Sequence, residues 1–125
     1  MYELEVIAGA FAVCKLEKER KIEGKIFFYA VTDGEISLVC KSEDAPKDAV
    51  LIEDGWKMMR ISGKLDFSLT GVLAKLSGVL AAEKIGVFAV STYDTDYILV
   101  KENDLRKAED CLSRAGYKIK TTKKD

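Results

Sequence analysis

Apolar and polar positions alternate along residues 2–6, with Tyr2, Leu4 and Val6 set against Glu3 and Glu5 before Gly9 breaks the run. A period of two is that of a strand with one buried face. Phe11-Ala-Val-Cys-Lys-Leu16 predicts a second strand, and the mixed charges of Glu17-Lys-Glu-Arg-Lys21 predict a solvated loop. Ile26-Phe-Phe-Tyr-Ala-Val31 and Ile36-Ser-Leu-Val-Cys40 flank Asp33-Gly34, two residues that tolerate positive φ, so a β-hairpin is expected there. A turn around Pro46 and a short strand at residues 50–52 closed by Asp54-Gly55 complete the first half, and a strand over residues 56–62 opens the second.

The period then changes. From Leu69 the apolar residues fall at Val72, Leu73, Leu76, Val79 and Leu80, with Lys75, Ser77, Glu83 and Lys84 on the other side, which is helical spacing. Ser68 is expected as the N-cap, and Gly86 as the left-handed residue that ends this helix. Residues 87–93 read as a strand too apolar to have a wet face, with residues 97–101 as its hairpin partner across Asp94-Thr95-Asp96. Asn103 is expected to cap a second helix whose Leu105, Ala108, Cys111, Leu112 and Ala115 share a face. Gly116 ends it before a last strand at residues 117–119.

Residues 56–119 thus read strand, helix, strand, strand, helix, strand. This is an α+β, ferredoxin-like βαββαβ unit, in which both helices cover one face of an antiparallel sheet. Displacing the chain by sixty residues lays residues 28–44 on residues 88–104 without a gap, matching Phe28 with Phe88, Thr32 with Thr92, Lys41 with Lys101 and Asp44 with Asp104. On this reading residues 1–55 are a strand-rich half that has lost its helices, and residues 56–125 are the complete one.

Composition narrows the function. At 125 residues, 48% apolar and 33% charged, the chain is expected to fold as a soluble globular protein. A net charge of −1 offers no general attraction for nucleic acid. No apolar run approaches the ~20 residues that span a bilayer, and residues 1–5 lack the basic start of a signal peptide, so a cytoplasmic location without membrane is expected. Cys14, Cys40 and Cys111 read as small buried hydrophobes, with neither a metal site nor a cofactor implied. The chain has no histidine and shows no nucleophile–base pair, which argues against an enzyme.

Two segments carry candidate chemistry. Asp66-Phe67-Ser68-Leu69-Thr70-Gly71 opens the first helix, whose free N–H groups and positive dipole end suit a carboxylate. Gly86, Val87, Phe88, Ser91, Thr92, Asp94 and Asp96 belong to the answering strand and turn, where the two aspartates can accept from an ammonium group. Together they suit a zwitterion. Each also has an ordinary structural reading: Ser68 and Thr70 as caps, Asp66 as a turn former, Asp94-Thr95-Asp96 as a hairpin turn.

With these motifs, residues 63–73 and 85–101 resemble the ACT family of small-molecule-binding regulatory domains, in particular the branch with two ACT-like units, one degenerate, that includes cytosolic arginine sensors. The resemblance implies an amino acid held at an ACT–ACT interface by the loop from first strand to first helix and by the second strand. It implies a homodimer and a separate, unidentified regulated protein. The alternative is a ligand-free oligomerisation module on the same sheet.

Overall fold

The computed structural model describes residues 2–62 and 71–121. In chain order its elements are β1 (Glu3–Val6), β2 (Phe11–Leu16), β3 (Phe28–Val31), β4 (Ile36–Lys41), β5 (Leu51–Ile61), α1 (Val72–Ala82), β6 (Phe88–Ser91), β7 (Asp96–Lys101), α2 (Leu105–Arg114) and β8 (Lys118–Thr121). Single 3₁₀ turns stand at Ser42–Asp44 and Glu102–Asp104. The chain forms two compact units, one of residues 9–56 and the other of residues 1–8 with 57–125. The sequence reading put residues 1–8 with the first half; in the structure β1 counts with the second.

In that second unit the strand order is β8-β1-β5-β7-β6. β1 runs antiparallel to β5, pairing Leu4 with Ile61 and Glu5 with Arg60, and parallel to β8, pairing Leu4 with Ile119. Without β1 the order is that of a ferredoxin-like βαββαβ sheet, so β1 is an added strand between the first and the last. Period two sets one face: Leu4 and Val6, Met59 and Ile61, Ile98 and Val100 all join one core with Leu76 and Leu80 of α1 and Ala108, Cys111 and Leu112 of α2. Burying each large aliphatic here contributes about 1.5–3 kcal/mol.

Both helices end in the same motif. At α2, Tyr117 N–H donates to Leu112 C=O at 3.1 Å and Gly116 N–H to Ser113 C=O at 3.0 Å, with Gly116 at φ +103°. At α1, Ile85 N–H donates to Leu80 C=O at 3.1 Å and Lys84 N–H to Ala81 C=O at 2.9 Å, but the left-handed residue is Lys84, at φ +60°. The expectation for Gly86 is therefore corrected: it stands two positions too late, and buried Ile85 supplies the apolar contact that fixes the motif on Lys84. At the other ends, the α1 N-cap is Gly71 in place of the expected Ser68, and the α2 N-cap is Asp104 in place of Asn103, which falls inside the preceding 3₁₀ turn.

The unit of residues 9–56 has the order β3-β4-β2-β5, all antiparallel, and contains no α-helix. This is the ferredoxin-like strand order with its helices missing. Asp54-Gly55 does not close a short strand as expected. The pairing of β2 with β5 shifts between Phe11 and Val13, and Gly55 at φ +81° takes up the extra residue, so β5 runs through as one strand with a bulge. The expected hairpin forms, though without positive φ at Asp33 or Gly34. Thr32 shapes it instead: its N–H donates to Glu35 C=O at 2.9 Å, and its Oγ1 accepts from Gly34 and Glu35 N–H at 3.1 Å each.

The sixty-residue relation seen in the sequence extends to the hydrogen-bond ladders. Phe28 faces Val39 and Val31 faces Ile36 in one hairpin; Phe88 faces Leu99 and Ser91 faces Asp96 in the other. Each position is displaced by the same sixty residues, and the two 3₁₀ turns that follow obey the same offset.

Candidate functional site

The turn between β6 and β7 is set by two threonines. Thr92 donates its N–H to Thr95 C=O at 2.8 Å, and its Oγ1 bonds the same oxygen at 3.0 Å. Thr95 turns inward, 6% exposed, and donates its hydroxyl to Ile61 C=O at 2.8 Å. A buried hydroxyl has to be satisfied, and this one is satisfied at the last residue of β5. The turn is thereby held at the strand end from which the chain leads into residues 63–70. Asp66, Phe67, Ser68, Leu69 and Thr70 lie outside the described residues.

Around the anchored turn, Ser91 and Asp96 are direct cross-strand partners and share a face with Ala89 and Ile98, the side of the sheet that carries the helices. Val87 follows the same alternation and packs against the helix-covered core. Ser91, Thr92 and Asp94 are exposed, and Asp96 is partly so. Phe88 is not brought to this group: it pairs with Leu99, on the other side of the hairpin. The expected lack of a wet face does not hold: Ala89 and Ser91 of β6 are exposed, because among the described strands β6 pairs with β7 alone and stands at an edge. Gly86 and Gly71 are both exposed, and a Cβ built at either would meet nothing within 4 Å. Gly71, at φ +77°, stands immediately before the first turn of α1, whose leading N–H groups have no partner within the helix.

The residue that sequence reasoning missed is Thr95. In the sequence it reads as one residue of a hairpin turn, whereas its hydroxyl anchors that turn to β5. A second cluster, also missed, lies on the opposite side of the sheet. Arg60 Nε donates to Glu5 Oε1 at 3.2 Å, and its guanidinium lies 5.8 Å from the centre of the Tyr97 ring. Hydrogen bonding with Tyr97 first, and then with Glu5, holds the Arg60 pKa above its ordinary value despite partial burial. These three residues tie β1, β5 and β7 together across adjacent strands.

Among its described residues the arrangement offers acceptors, hydroxyls and open backbone. Among the described residues no group of three or more histidine, cysteine or carboxylate side chains could hold a metal ion. No helix among them is long and apolar enough to cross a membrane.

The described residues thus form a ferredoxin-like sheet whose β6–β7 turn exposes Ser91, Thr92 and Asp94. The family model described as the ACT domain matches residues 51–114, and the chain belongs to that family. It is similar to the protein named cytosolic arginine sensor for mTORC1 subunit 1, from Rattus norvegicus and from Homo sapiens, at 33% identity over 95 residues in each case. That similarity covers 70% of this chain, while the chain spans only 29% of the length of those relatives. Among solved structures, protein Atu0741 from Agobacterium tumefaciens superposes with a TM-score of 0.89 at 29% identity, covering 98% of this chain and 95% of the other. A structure of aspartokinase alpha and beta subunits shares the fold, with a TM-score of 0.64 at 16% identity over 90% of this chain and 96% of that one.

Proposed function

We propose that the chain is an amino-acid-binding regulatory module and not an enzyme, and that it holds one small amino acid at an interface between ACT units, the second unit coming from another copy in a homodimer. The observation that carries this reading is the bond from Thr95 to Ile61, because it fixes two carboxylates beside the strand end that leads to α1. The α-carboxylate is assigned to the free N–H groups at the start of α1, with Gly71 leaving the approach open and Ser68 and Thr70 adding hydroxyls. Asp66, Phe67 and Leu69 of the same segment are assigned to the ligand as well. The α-ammonium is assigned to Asp94 and Asp96, through charge-assisted bonds worth about 1.5–3 kcal/mol each. Ser91 and Thr92 contribute neutral contacts, Gly86 and Val87 line the approach, and Phe88 contributes through its backbone alone.

Membership of the ACT family and the similarity to a protein named as an arginine sensor support an amino acid as ligand. Binding would act on a separate regulated protein in the cytoplasm by changing the association of this chain with itself or with that partner. A thermal-shift screen of the twenty amino acids, arginine first, tests the reading. At least one should raise the melting temperature in a saturable way, since a ligand that binds only the folded state stabilises it. No movement with any of them would leave a ligand-free pairing module.

A further inference from the structure

The unit of residues 9–56 keeps a ferredoxin-like sheet and has no helices to cover it. In the other unit, Ile98 and Val100 of β7 lie in one core with Leu76, Leu80, Ala108 and Leu112 of the two helices. Sixty residues earlier, their counterparts Leu38 and Cys40 lie under two irregular segments, from which Ile22 and Phe27, and Ala45 and Ala49, pack on them. Loops of this length do not fill the volume of two helices, and an open cleft of about 340 Å³ remains. Leu38 and Cys40 form its floor, and Ile22 and Pro46 its apolar walls. Arg20, Lys21, Glu23 and Asp44 stand at its rim.

The two roofing segments are clasped together. Arg20 Nη2 donates to both oxygens of Asp48, at 3.0 and 2.8 Å, while the Arg20 N–H donates to the Tyr29 hydroxyl at 3.0 Å. The two segments are therefore joined at one place, where a single guanidinium nitrogen reaches both carboxylate oxygens at the surface.

We infer that this cleft is a second small-molecule site, and that it takes a zwitterion with an apolar side chain, an aliphatic or thioether amino acid. Its volume lies at the small end of ligand pockets, roughly 300–1,000 Å³. Arg20 is taken up by Asp48, and the remaining rim charges, Lys21 against Glu23 and Asp44, give each end of a zwitterion an opposite charge, whereas a simple anion would face more repulsion than attraction and a simple cation would leave Lys21 unanswered. The floor is uncharged: burial first, and the neighbouring Cys14, push the Cys40 thiol up to about 12, so it stays protonated and behaves as an apolar group. This site lies wholly within residues 9–56 and does not depend on binding at the β6–β7 turn.

The test is a set of ¹H–¹⁵N spectra of the full chain titrated with L-leucine, L-isoleucine and L-methionine, with glycine and L-arginine as comparators. The expected result is a saturable shift of the Ile22, Leu38 and Cys40 amides with the apolar amino acids, stronger than with either comparator. Asp44→Lys and Lys21→Glu, both at exposed positions, should each weaken that binding by about tenfold or more, and Asp94→Asn should leave it unchanged. The inference is overturned if those amides do not move at millimolar ligand, if shifts are confined to residues 91–96, or if both rim variants bind as the unaltered chain does.

Discussion

Thr95 donates its hydroxyl to the carbonyl oxygen of Ile61 at 2.8 Å, in a site where the side chain is almost fully buried. One bond thus joins the tip of the β6–β7 hairpin to the end of β5, thirty-four residues earlier in the chain. The turn that carries Asp94 and Asp96 is held from behind, with Asp94 exposed and Asp96 partly so on the helix-carrying side of the sheet.

Thr95→Val keeps the shape and removes the donor, leaving the Ile61 carbonyl buried without its partner. The expected cost is about 1–3 kcal/mol, with Thr95→Ser losing much less because it retains the hydroxyl. Urea denaturation of the three proteins checks this. Equal stability of the valine and unaltered proteins would remove Thr95 from its positioning role.

The two helix ends predict opposite signs. Lys84 occupies a left-handed position that costs an L-residue about 1–2 kcal/mol, partly offset by glycine's greater freedom in the unfolded chain, so Lys84→Gly should stabilise by about 0.5–1 kcal/mol. Gly116→Ala imposes the same strain where none exists now and should destabilise by about 1–2 kcal/mol. Melting temperatures of both variants, measured side by side, report the two effects.

These same positions show how far the chain could be read without coordinates. Period-two and helical spacing located the strands and helices because each buries one face, and Gly116 announced its helix end by being the only residue type that adopts φ +103° freely. Lys84 could not be read, since there the helix end is chosen by the burial of Ile85 and not by the local residue type. Asp54-Gly55 carries the same local signal whether it turns the chain or bulges a strand, and only pairing with β2 decides. The insertion of β1 between β5 and β8 is likewise a matter of long-range pairing, invisible in any window of sequence. At the candidate site the aspartates were legible as charges in a turn. The inward Thr95 was not, because a threonine between two aspartates reads as solvated until Ile61 is placed behind it.

The cysteines of the first unit give a pH dependence. Burial, with Cys14 alongside, raises the Cys40 thiol from an ordinary 9.0 to about 12, and burial likewise raises Cys14. The folded state therefore holds these protons more tightly than the unfolded chain does. That contribution to stability is fully present below pH 9.0 and is lost as pH rises toward 12. Cys40→Val should show a shallower fall of stability across that window, measured by urea denaturation at a series of pH values. An unchanged slope would mean that Cys40 ionises as freely in the fold as outside it.

Arg60 bonded to Glu5 and lying by the Tyr97 ring links three strands on the side away from the helices. Glu5→Gln keeps a hydrogen-bond acceptor and removes the charge, so it should destabilise less than Arg60→Ala, which also exposes the face of Tyr97. A double-mutant cycle over the Glu5 and Arg60 changes should return a coupling of about 0.2–1 kcal/mol that weakens as salt is raised.

The most direct test of the sensor reading is calorimetric titration of the chain with the amino acid that gives the largest thermal shift, repeated on an Asp94→Asn/Asp96→Asn variant. Loss of the two negative charges that face the ammonium should weaken binding by tenfold or more while the melting temperature of the free protein stays within a few degrees of the unaltered chain. Binding of equal strength in the two proteins would contradict the assignment of the ammonium group to that turn, and with it the account of what the anchored hairpin is for.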